Sequence, residues 1–164
     1  DSLILANSII DPISKNVLQN IRHVNTEIID TAKNDITFLA KKLKVKKLLF
    51  IGLTFKNSPF TTDTRDSHSL ELIRSLKNNF DYKIYDPYTD KESKLEFDSK
   101  LIYNFEDEIY PLVIFCNNQQ WVIDLYSNTK ELNNSIKYWL YRPPIFIDKL
   151  TYCLGDHKTL KSIK

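Results

Sequence analysis

The amino-acid sequence predicts an α/β protein in which a long helical segment precedes a doubly wound, mostly parallel sheet. Residues 12–43 contain no glycine and only the one proline that opens them, and their apolar residues recur at helical spacing. Short apolar runs then alternate with amphipathic segments, as in units of strand, helix and strand. The first of these runs, residues 47–53, contains Gly52, one of only two glycines in the chain. A buried strand that ends in a turn is therefore predicted there.

Length, charge and cysteine content narrow the class of protein. The chain has 164 residues, enough for one domain with a sizeable core and an appended element. Its formal net charge is +2 and its lysines are interspersed with acidic residues, so neither a nucleic-acid nor a membrane partner is predicted. Cys116 and Cys153 suggest neither a disulfide framework nor a metal site, and a cytoplasmic location is expected. Because the chain opens with Asp1 and contains no methionine, we expect a fragment of a longer protein or a processed product.

The long helix is predicted to begin at Pro12, with Asp11 as its N-cap residue. About 32 residues at about 1.5 Å each give a helix of roughly 48 Å, which exceeds the diameter of a small domain. Part of its apolar stripe must therefore meet another domain or another chain. His23 lies on this helix without a predicted carboxylate or nucleophile partner, so we interpret it as a surface or packing residue.

The stretch after the first strand carries the polar residues of greatest interest. A loop with Thr54, Phe55 and Lys56 follows Gly52, and Ser67 can cap the amphipathic helix after it. Loops and helix N-termini of this kind gather at the carboxyl edge of a parallel sheet. The sequence therefore predicts an anion-binding site at that edge.

Further strands are predicted at residues 82–85, 101–103, 111–116 and 145–148. Residues 88–100 are expected to form a loop or a short helix, and helical structure is expected near residues 128–138. Cys116 is interpreted as a small core residue, because nothing basic follows it closely. Trp121 is expected to pack at the start of the next helix, with stacking on a ligand ring as the alternative.

Three motifs in order carry a resemblance to a known family. They are residues 52–56 (GLTFK), 63–67 (DTRDS) and 85–87 (YDP). Together they resemble the C-terminal domain of the nucleotide-sugar dehydrogenases that include UDP-glucose 6-dehydrogenase, which implies a Rossmann-like fold. In that family the domain holds the UDP part of the substrate. The resemblance implies that Phe55 and Lys56 contact the substrate.

The resemblance implies roles for other residues as well. Asp1 looks like the family aspartate that orients or deprotonates a water near a catalytic cysteine upstream. From the local sequence alone, Asp1 can equally be a helix N-cap residue. Arg22 and Asn25 look like a family signature on the long helix, which in that family forms the dimer core. Arg65 is expected to brace its loop or an interface. Lys149 is the candidate for a late basic substrate contact, but it stands one position earlier than the family pattern.

The implied activity is the NAD-dependent oxidation of the C6 alcohol of a UDP-sugar to the uronate. No glycine-rich dinucleotide fingerprint is present in the sequence, so NAD is expected to bind a domain outside this chain. We expect a connecting and dimerisation helix in residues 1–44, a UDP-sugar-binding domain in 45–155 and a polar tail in 156–164. The alternatives are a non-catalytic UDP-sugar-binding or dimerisation module, a degenerate paralogue, and a UDP-N-acetylhexosamine as substrate. The degenerate paralogue is suggested by Leu150 in the expected basic position and by a loop enlarged by two residues before Arg65. The substrate stays open because sugar selectivity depends on a second domain.

Overall fold

A computed structural model describes residues 11–54, 61–64, 67–104, 108–145 and 147–156. Within the first of these ranges, the side chains at positions 19, 21, 22 and 25 are outside the description. The roles predicted for Arg22 and Asn25 therefore lie outside the described residues. None of the described helices is both long and apolar enough to cross a membrane.

Helix α1 spans Pro12–Leu43, 32 residues in all. Its first turn is capped by Asp11, whose side chain accepts a hydrogen bond from the Ser14 N–H at 2.8 Å. It ends at Lys44, which adopts a left-handed conformation with φ of 54° and donates its N–H to carbonyls of the last turn. Both ends of the helix are therefore fixed by local hydrogen bonds.

Among the described side chains of α1, those buried against the rest of the domain lie in its second half. Its buried face includes Ala32, Ile36 and Leu39, all fully buried. In contrast, Val17 and Val24 of the first half are 52% and 53% exposed. The described part of the first half therefore extends beyond the sheet with apolar side chains in solvent.

Six parallel strands form one sheet in the order β3-β2-β1-β4-β5-β6. The strands are β1 Lys47–Ile51, β2 Asp81–Tyr85, β3 Leu101–Ile102, β4 Leu112–Phe115, β5 Ile136–Trp139 and β6 Thr151–Cys153. The helices after α1 are α2 His68–Leu76, α3 Lys91–Phe97 and α4 Gln120–Asn128, and 3₁₀ turns lie at Asp98–Lys100 and Lys130–Leu132. This strand order is that of the doubly wound dinucleotide-binding folds, as the α/β prediction required.

The two faces of the sheet have separate cores. Successive residues of β1 point to opposite faces, so Leu48 packs with α1 and α2 while Leu49 packs with α4. On the α4 side, the rings of Phe115 and Trp139 stack with centroids 4.3 Å apart. The central strands are therefore buried on both sides, as a parallel sheet requires.

The region after α4 differs from the sequence prediction. Residues 128–138 were expected to be helical, but Ile136–Trp139 forms β5 beside β4. The last strand was expected at 145–148, but it is Thr151–Cys153. The prediction failed because a lysine is normally exposed, whereas Lys137 is only 2% exposed. Its charge is neutralised by Asp148, 2.9 Å away. β-branched and aromatic residues around it then favour a strand.

Candidate functional site

The carboxyl ends of β1 and β4 meet at the centre of the sheet. The connection from β1 runs towards β2, whereas the connection from β4 runs towards β5. This reversal of direction leaves a crevice between the two loops, where open α/β sheets bind ligands. The residues that follow these strands, Gly52–Thr54 in one loop and 116–119 in the other, define the candidate site.

Gly52 allows the first loop to leave β1. Its φ of 82° lies in the left-handed region that glycine adopts without strain. A Cβ at this position would also lie 2.6 Å from Asn117 Nδ2 and 2.9 Å from Asn117 Cγ. Both the backbone conformation and the close approach of Asn117 therefore require glycine here.

The next residue, Leu53, is held through its backbone on both sides. Its N–H donates to Asp86 Oδ2 at 2.6 Å, and its carbonyl accepts from Ser67 Oγ at 2.7 Å. Asp86 directly follows β2 and also accepts from the Tyr88 N–H at 2.9 Å. Burial raises the pKa of Asp86, although the bonds from Leu53 and Tyr88 favour its ionised form. Both carboxylate oxygens of Asp86 therefore accept hydrogen bonds from backbone N–H groups.

The β4 loop reaches the β1 loop through two amides. Asn117 Nδ2 donates to Thr54 Oγ1 at 3.0 Å, and Gln119 Nε2 donates to the Thr61 carbonyl at 3.3 Å. Asn117 Oδ1 accepts from the Gln119 N–H at 3.2 Å, and Gln119 Oε1 accepts from Trp121 Nε1 at 2.7 Å. Trp121 is half-buried and packs with the α4 core, as the sequence predicted. The two loops thus form one hydrogen-bonded unit.

A second set of contacts joins the chain before α2 to the start of α3. The Thr64 hydroxyl bonds both Asp90 and Ser93, the second at 2.6 Å. Beside it, a cavity of about 320 Å³ is lined by Asp63, Asp90, Lys91 and Glu92. Its three carboxylates disfavour an anionic ligand. Among the described residues, no cluster of three or more His, Cys, Asp or Glu could hold a metal ion.

The carboxyl edge also includes the residues that directly follow β5, which are called the β5 corner below. Tyr141 OH and His68 Nδ1, at the start of α2, are 2.6 Å apart and their rings stack. Burial lowers the pKa of His68 and raises the pKa of Tyr141 to about 12, so both are neutral near pH 7. Arg142 follows, with its side chain 61% exposed and paired with Asp156 at 2.9 Å. This corner therefore presents a cation at the same edge as Gly52.

The residues predicted to form the site are only partly described. Asp1, Phe55, Lys56 and Arg65 lie outside the described residues. Lys149 is described: it is exposed and lies in the turn before β6. The neighbouring Leu150 carbonyl accepts from the N–H of Lys137 near the start of β5, at 2.8 Å. Lys149 is therefore at the amino edge of the sheet, and the structure does not bring it near the loop after β1.

Two other residues interpreted from sequence can be placed. Cys116 is fully buried, and burial raises the pKa of its thiol to about 12, as expected of a core residue. His23 is exposed on α1 with Glu27 3.2 Å away, one helical turn further on. Cys116 thus opens the β4 loop as a buried core residue, and His23 lies outside the candidate site.

Sequence reasoning overlooked Asn117, Asp86 and Arg142 as site residues. Asp86 and Asn117 each stand directly at or after the end of a predicted strand, and that position was the available signal. Arg142 could be found only after β5 was placed correctly. Once Trp139 ends a strand beside β4, the next three residues must lie at the carboxyl edge.

Comparisons with known proteins add independent findings. The profile of the UDP-glucose/GDP-mannose dehydrogenase family, UDP binding domain, matches residues 49–148. Among curated proteins no significant relative was found. The family match begins within β1 and ends at Asp148, shortly before β6, so it includes both loops of the candidate site.

Solved structures of such dehydrogenases share the fold. GDP-mannose dehydrogenase from Pseudomonas aeruginosa is 17% identical with a TM-score of 0.65, over 85% of this chain and 34% of that one. UDP-N-acetyl-mannosamine dehydrogenase from Staphylococcus aureus is 18% identical with a TM-score of 0.66, over 93% and 35%. UDP-glucose dehydrogenase from Pyrobaculum islandicum is 16% identical with a TM-score of 0.62, over 80% and 30%. This chain thus spans about a third of these proteins. By the profile match, it belongs to the UDP-glucose/GDP-mannose dehydrogenase family and contains that family's UDP binding domain.

Proposed function

We propose that this chain is the UDP-sugar-binding, C-terminal part of an NAD-dependent nucleotide-sugar 6-dehydrogenase. The parent protein would oxidise the C6 alcohol of a UDP-sugar, UDP-glucose or a UDP-N-acetylhexosamine, to the uronate. The observation that carries the proposal is the turn at Gly52–Thr54, fixed at the switch point of a sheet whose sequence matches the UDP binding domain. The buried free thiols of Cys116 and Cys153 suit a reducing cytoplasm.

In this proposal the segment directly after Thr54 supplies the substrate contacts. Phe55 would pack against the nucleotide or sugar, and Lys56 would neutralise a phosphate as a compact cation. Arg65 would brace the same segment. Asp1 would orient or deprotonate a water at the reacting carbon. These four roles rest on the resemblance of their motifs.

We further propose Arg142, in place of Lys149, as the basic substrate contact late in the chain. The family pattern is an apolar run, an Asp, one further residue and then the basic residue. Arg142 stands three positions beyond Trp139, the last residue of β5, although Leu140 takes the place of the Asp. Arg142 is already paired with Asp156, but exposed pairs of this kind contribute at most about 1 kcal/mol. A diphosphate can therefore compete for the guanidinium, which suits bidentate phosphate recognition.

NAD does not fit the residues of this chain. The turn after β1 has a single glycine, whereas a dinucleotide pyrophosphate needs a glycine-rich approach. Asp86 stands at the end of β2, where an acidic residue would bind the ribose, but its carboxylate accepts from the N–H groups of Leu53 and Tyr88. We therefore propose that NAD is bound by a part of the protein outside this chain.

We propose that the protein is a homodimer held together through α1. The support is the exposed apolar residues on its first half, Ile13, Val17 and Val24. The change Val17→Asp together with Val24→Asp should shift the full-length protein towards monomer in analytical ultracentrifugation. The matched change Asn16→Asp with Lys15→Glu should not. Equal masses for both variants and the wild type would contradict the dimer.

The decisive experiment titrates the full-length protein with UDP in a calorimeter. It then follows NADH absorbance after NAD and a candidate UDP-sugar are added together. We expect heat with UDP, a weaker signal for Lys56→Ala and NADH formation with at least one UDP-sugar. Heat without NADH formation would support the non-catalytic binding module. No heat with UDP for the wild-type protein would remove the nucleotide proposal.

A further inference from the structure

We propose that Asp156 is a positioning residue, which holds the Arg142 guanidinium at the carboxyl edge and leaves it open to a phosphate. The inference rests on the proposed function, in which Arg142 contacts a nucleoside diphosphate. Asp156 follows β6 and lies beyond residues 49–148, which the family profile matches. In this proposal Asp156 acts through Arg142 and does not itself touch the ligand.

The two carboxylate oxygens of Asp156 have different partners. Oδ1 accepts from Arg142 Nη2 at 2.9 Å, and Oδ2 accepts from the Cys153 N–H at 2.9 Å. β6 is an edge strand, and its Leu154 N–H donates to the Trp139 carbonyl of β5. Since successive N–H groups of a strand point to opposite sides, the Cys153 N–H points away from the sheet. Asp156 therefore caps the outer edge of β6, and this bond fixes its carboxylate.

The pair between Asp156 and Arg142 is monodentate. Because Oδ2 is occupied by Cys153, Asp156 offers the guanidinium a single oxygen. Another pair in the chain shows the contrast, since Arg74 Nε and Nη2 donate to Oε1 and Oε2 of Glu96 at 2.9 and 2.6 Å. A guanidinium carries five N–H donors in a fork that matches a phosphate. The bond to Asp156 uses one of them, so Arg142 can bind a phosphate without leaving Asp156.

The backbone of Arg142 is held from another direction. Its carbonyl accepts from Asn118 Nδ2 of the β4 loop at 3.3 Å, and the preceding Tyr141 bonds His68 of α2. The Arg142 side chain is 61% exposed and that of Asp156 is 24% exposed. The guanidinium of the β5 corner is therefore open to solvent, while its direction is set by a more enclosed carboxylate. A long side chain that is ordered in advance lowers the cost of binding a ligand.

Positioning and competition predict opposite changes in affinity. If Asp156 only competed with a phosphate for Arg142, removal of the carboxylate would tighten UDP binding. Positioning predicts weaker binding, because a released arginine side chain has more rotamers to lose when the ligand binds. We expect positioning to prevail, since salt screens the repulsion between Asp156 and a phosphate at this exposed site.

The test measures the UDP affinity of the full-length protein by calorimetry. Asp156→Asn should raise the Kd for UDP about fivefold. Its single oxygen should stay with the Cys153 N–H, because Cys153 is 1% exposed and an unpaired buried donor costs more than an exposed guanidinium that bonds water. Asp156→Ala loses both bonds and should bind UDP no more tightly than Asp156→Asn.

Glu96→Gln is the matched control. It removes the carboxylate of another exposed arginine pair, whose Arg74 lies in the last turn of α2 and so away from the carboxyl edge. The Kd for UDP should stay within about twofold of the wild-type value.

A double-variant cycle separates positioning from a purely structural role. Asp156→Asn combined with Arg142→Ala should weaken UDP binding no further than Arg142→Ala alone, because Asp156 acts only through Arg142. Additive losses would show that the turn after β6 matters in itself. That result, or an unchanged or lower Kd in Asp156→Asn and Asp156→Ala, would overturn the inference and leave the proposed function standing. No heat with UDP for the wild-type protein would remove the function itself.

Discussion

At the amino edge of the sheet, ion pairs tie the strand ends to the segments beside them. At the carboxyl edge near β1 and β4, side chains instead bind the loop directly, mostly through its backbone. The amino-edge pairs are Lys47 with Glu108, Lys100 with Asp81 and Lys137 with Asp148. The carboxyl-edge bonds run from Ser67, Asn117 and Gln119 to the loop, and from the loop to Asp86.

The difference distinguishes an edge held by ion pairs from the edge at which we propose that the ligand binds. A pair of opposite charges on side chains satisfies both partners and links the start of a strand to a neighbouring segment. A side chain that binds a loop backbone fixes the direction of that loop and leaves the loop's own side chains for a ligand. The predictions below disturb one edge at a time, beginning with the largest expected effect.

Breaking the pair between the buried Lys137 and the exposed Asp148 at the amino edge should cost the most stability. Asp148→Ala leaves the Lys137 ammonium, which is 2% exposed, without its carboxylate. We expect the free energy of unfolding to fall by about 3 kcal/mol in urea denaturation, because a buried charge then lacks a partner. Asp81→Ala removes an exposed partner of Lys100 at the same edge and should cost far less. UDP affinity should be unchanged in both, and equal stability losses would contradict the prediction.

At the carboxyl edge, Gly52→Ala should affect both stability and binding. The change adds a Cβ 2.6 Å from Asn117 Nδ2 to a residue with φ of 82°. We expect a loss of about 2 kcal/mol in unfolding free energy and no measurable UDP binding. Gly155→Ala is the matched control, since its φ is 93° but no described heavy atom beyond its chain neighbours lies within 4 Å of the added carbon. It should cost about 1 kcal/mol and leave UDP binding intact. Similar losses of stability and of UDP binding in both variants would show that the close contact with Asn117 contributes to neither.

Much of the fold was predictable because its signals are local. Asp11 and Ser67 were recognised as caps from sequence, and each side chain accepts a hydrogen bond from the first turn of its helix. The strands β1, β2 and β4 were recognised from short apolar runs. β5 was missed because Lys137 interrupts its apolar pattern, and its partner Asp148 lies eleven positions later. Sequence periodicity cannot show that a lysine is neutralised.

The site was less predictable because its bonds are not local. Asn117 and Thr54 are 63 positions apart, and Asp86 and Leu53 are 33 positions apart. The motifs at Gly52 and at Asp86 located the right loops. The side chains that hold those loops could be identified only when strand order placed β2, β1 and β4 side by side.

Two basic residues at opposite edges test which edge binds the ligand. Arg142→Ala should raise the Kd for UDP about tenfold, because it removes a cation from the carboxyl edge. Lys149→Ala, an exposed change at the amino edge, should leave the Kd within about twofold and serves as the control. Unfolding free energies should change little in either variant, since Arg142 and Lys149 are both exposed. The reverse order of the two Kd values would restore Lys149 as the substrate contact.

The smallest effect is a difference in the sign of the pH dependence at the two edges. Burial alone would raise the pKa of Asp148, but hydrogen bonds from Lys137, Thr151 and Leu150 outweigh burial and lower it. The contribution of Asp148 to folding stability is therefore present above its ordinary pKa and is lost as the pH falls below about 4. Burial is the main cause that raises the pKa of Asp86, and the charge of Asp90 adds a smaller increase. The charge of Lys94 acts in the opposite direction.

The Asp86 contribution to stability therefore weakens as pH rises above about 4. Urea denaturation between about pH 3 and about pH 7 should show that the stability advantage of wild type over Asp148→Asn grows with pH, while its advantage over Asp86→Asn shrinks. Parallel curves for the two variants would mean that both carboxylates ionise in equivalent surroundings, and that the two edges do not differ electrostatically.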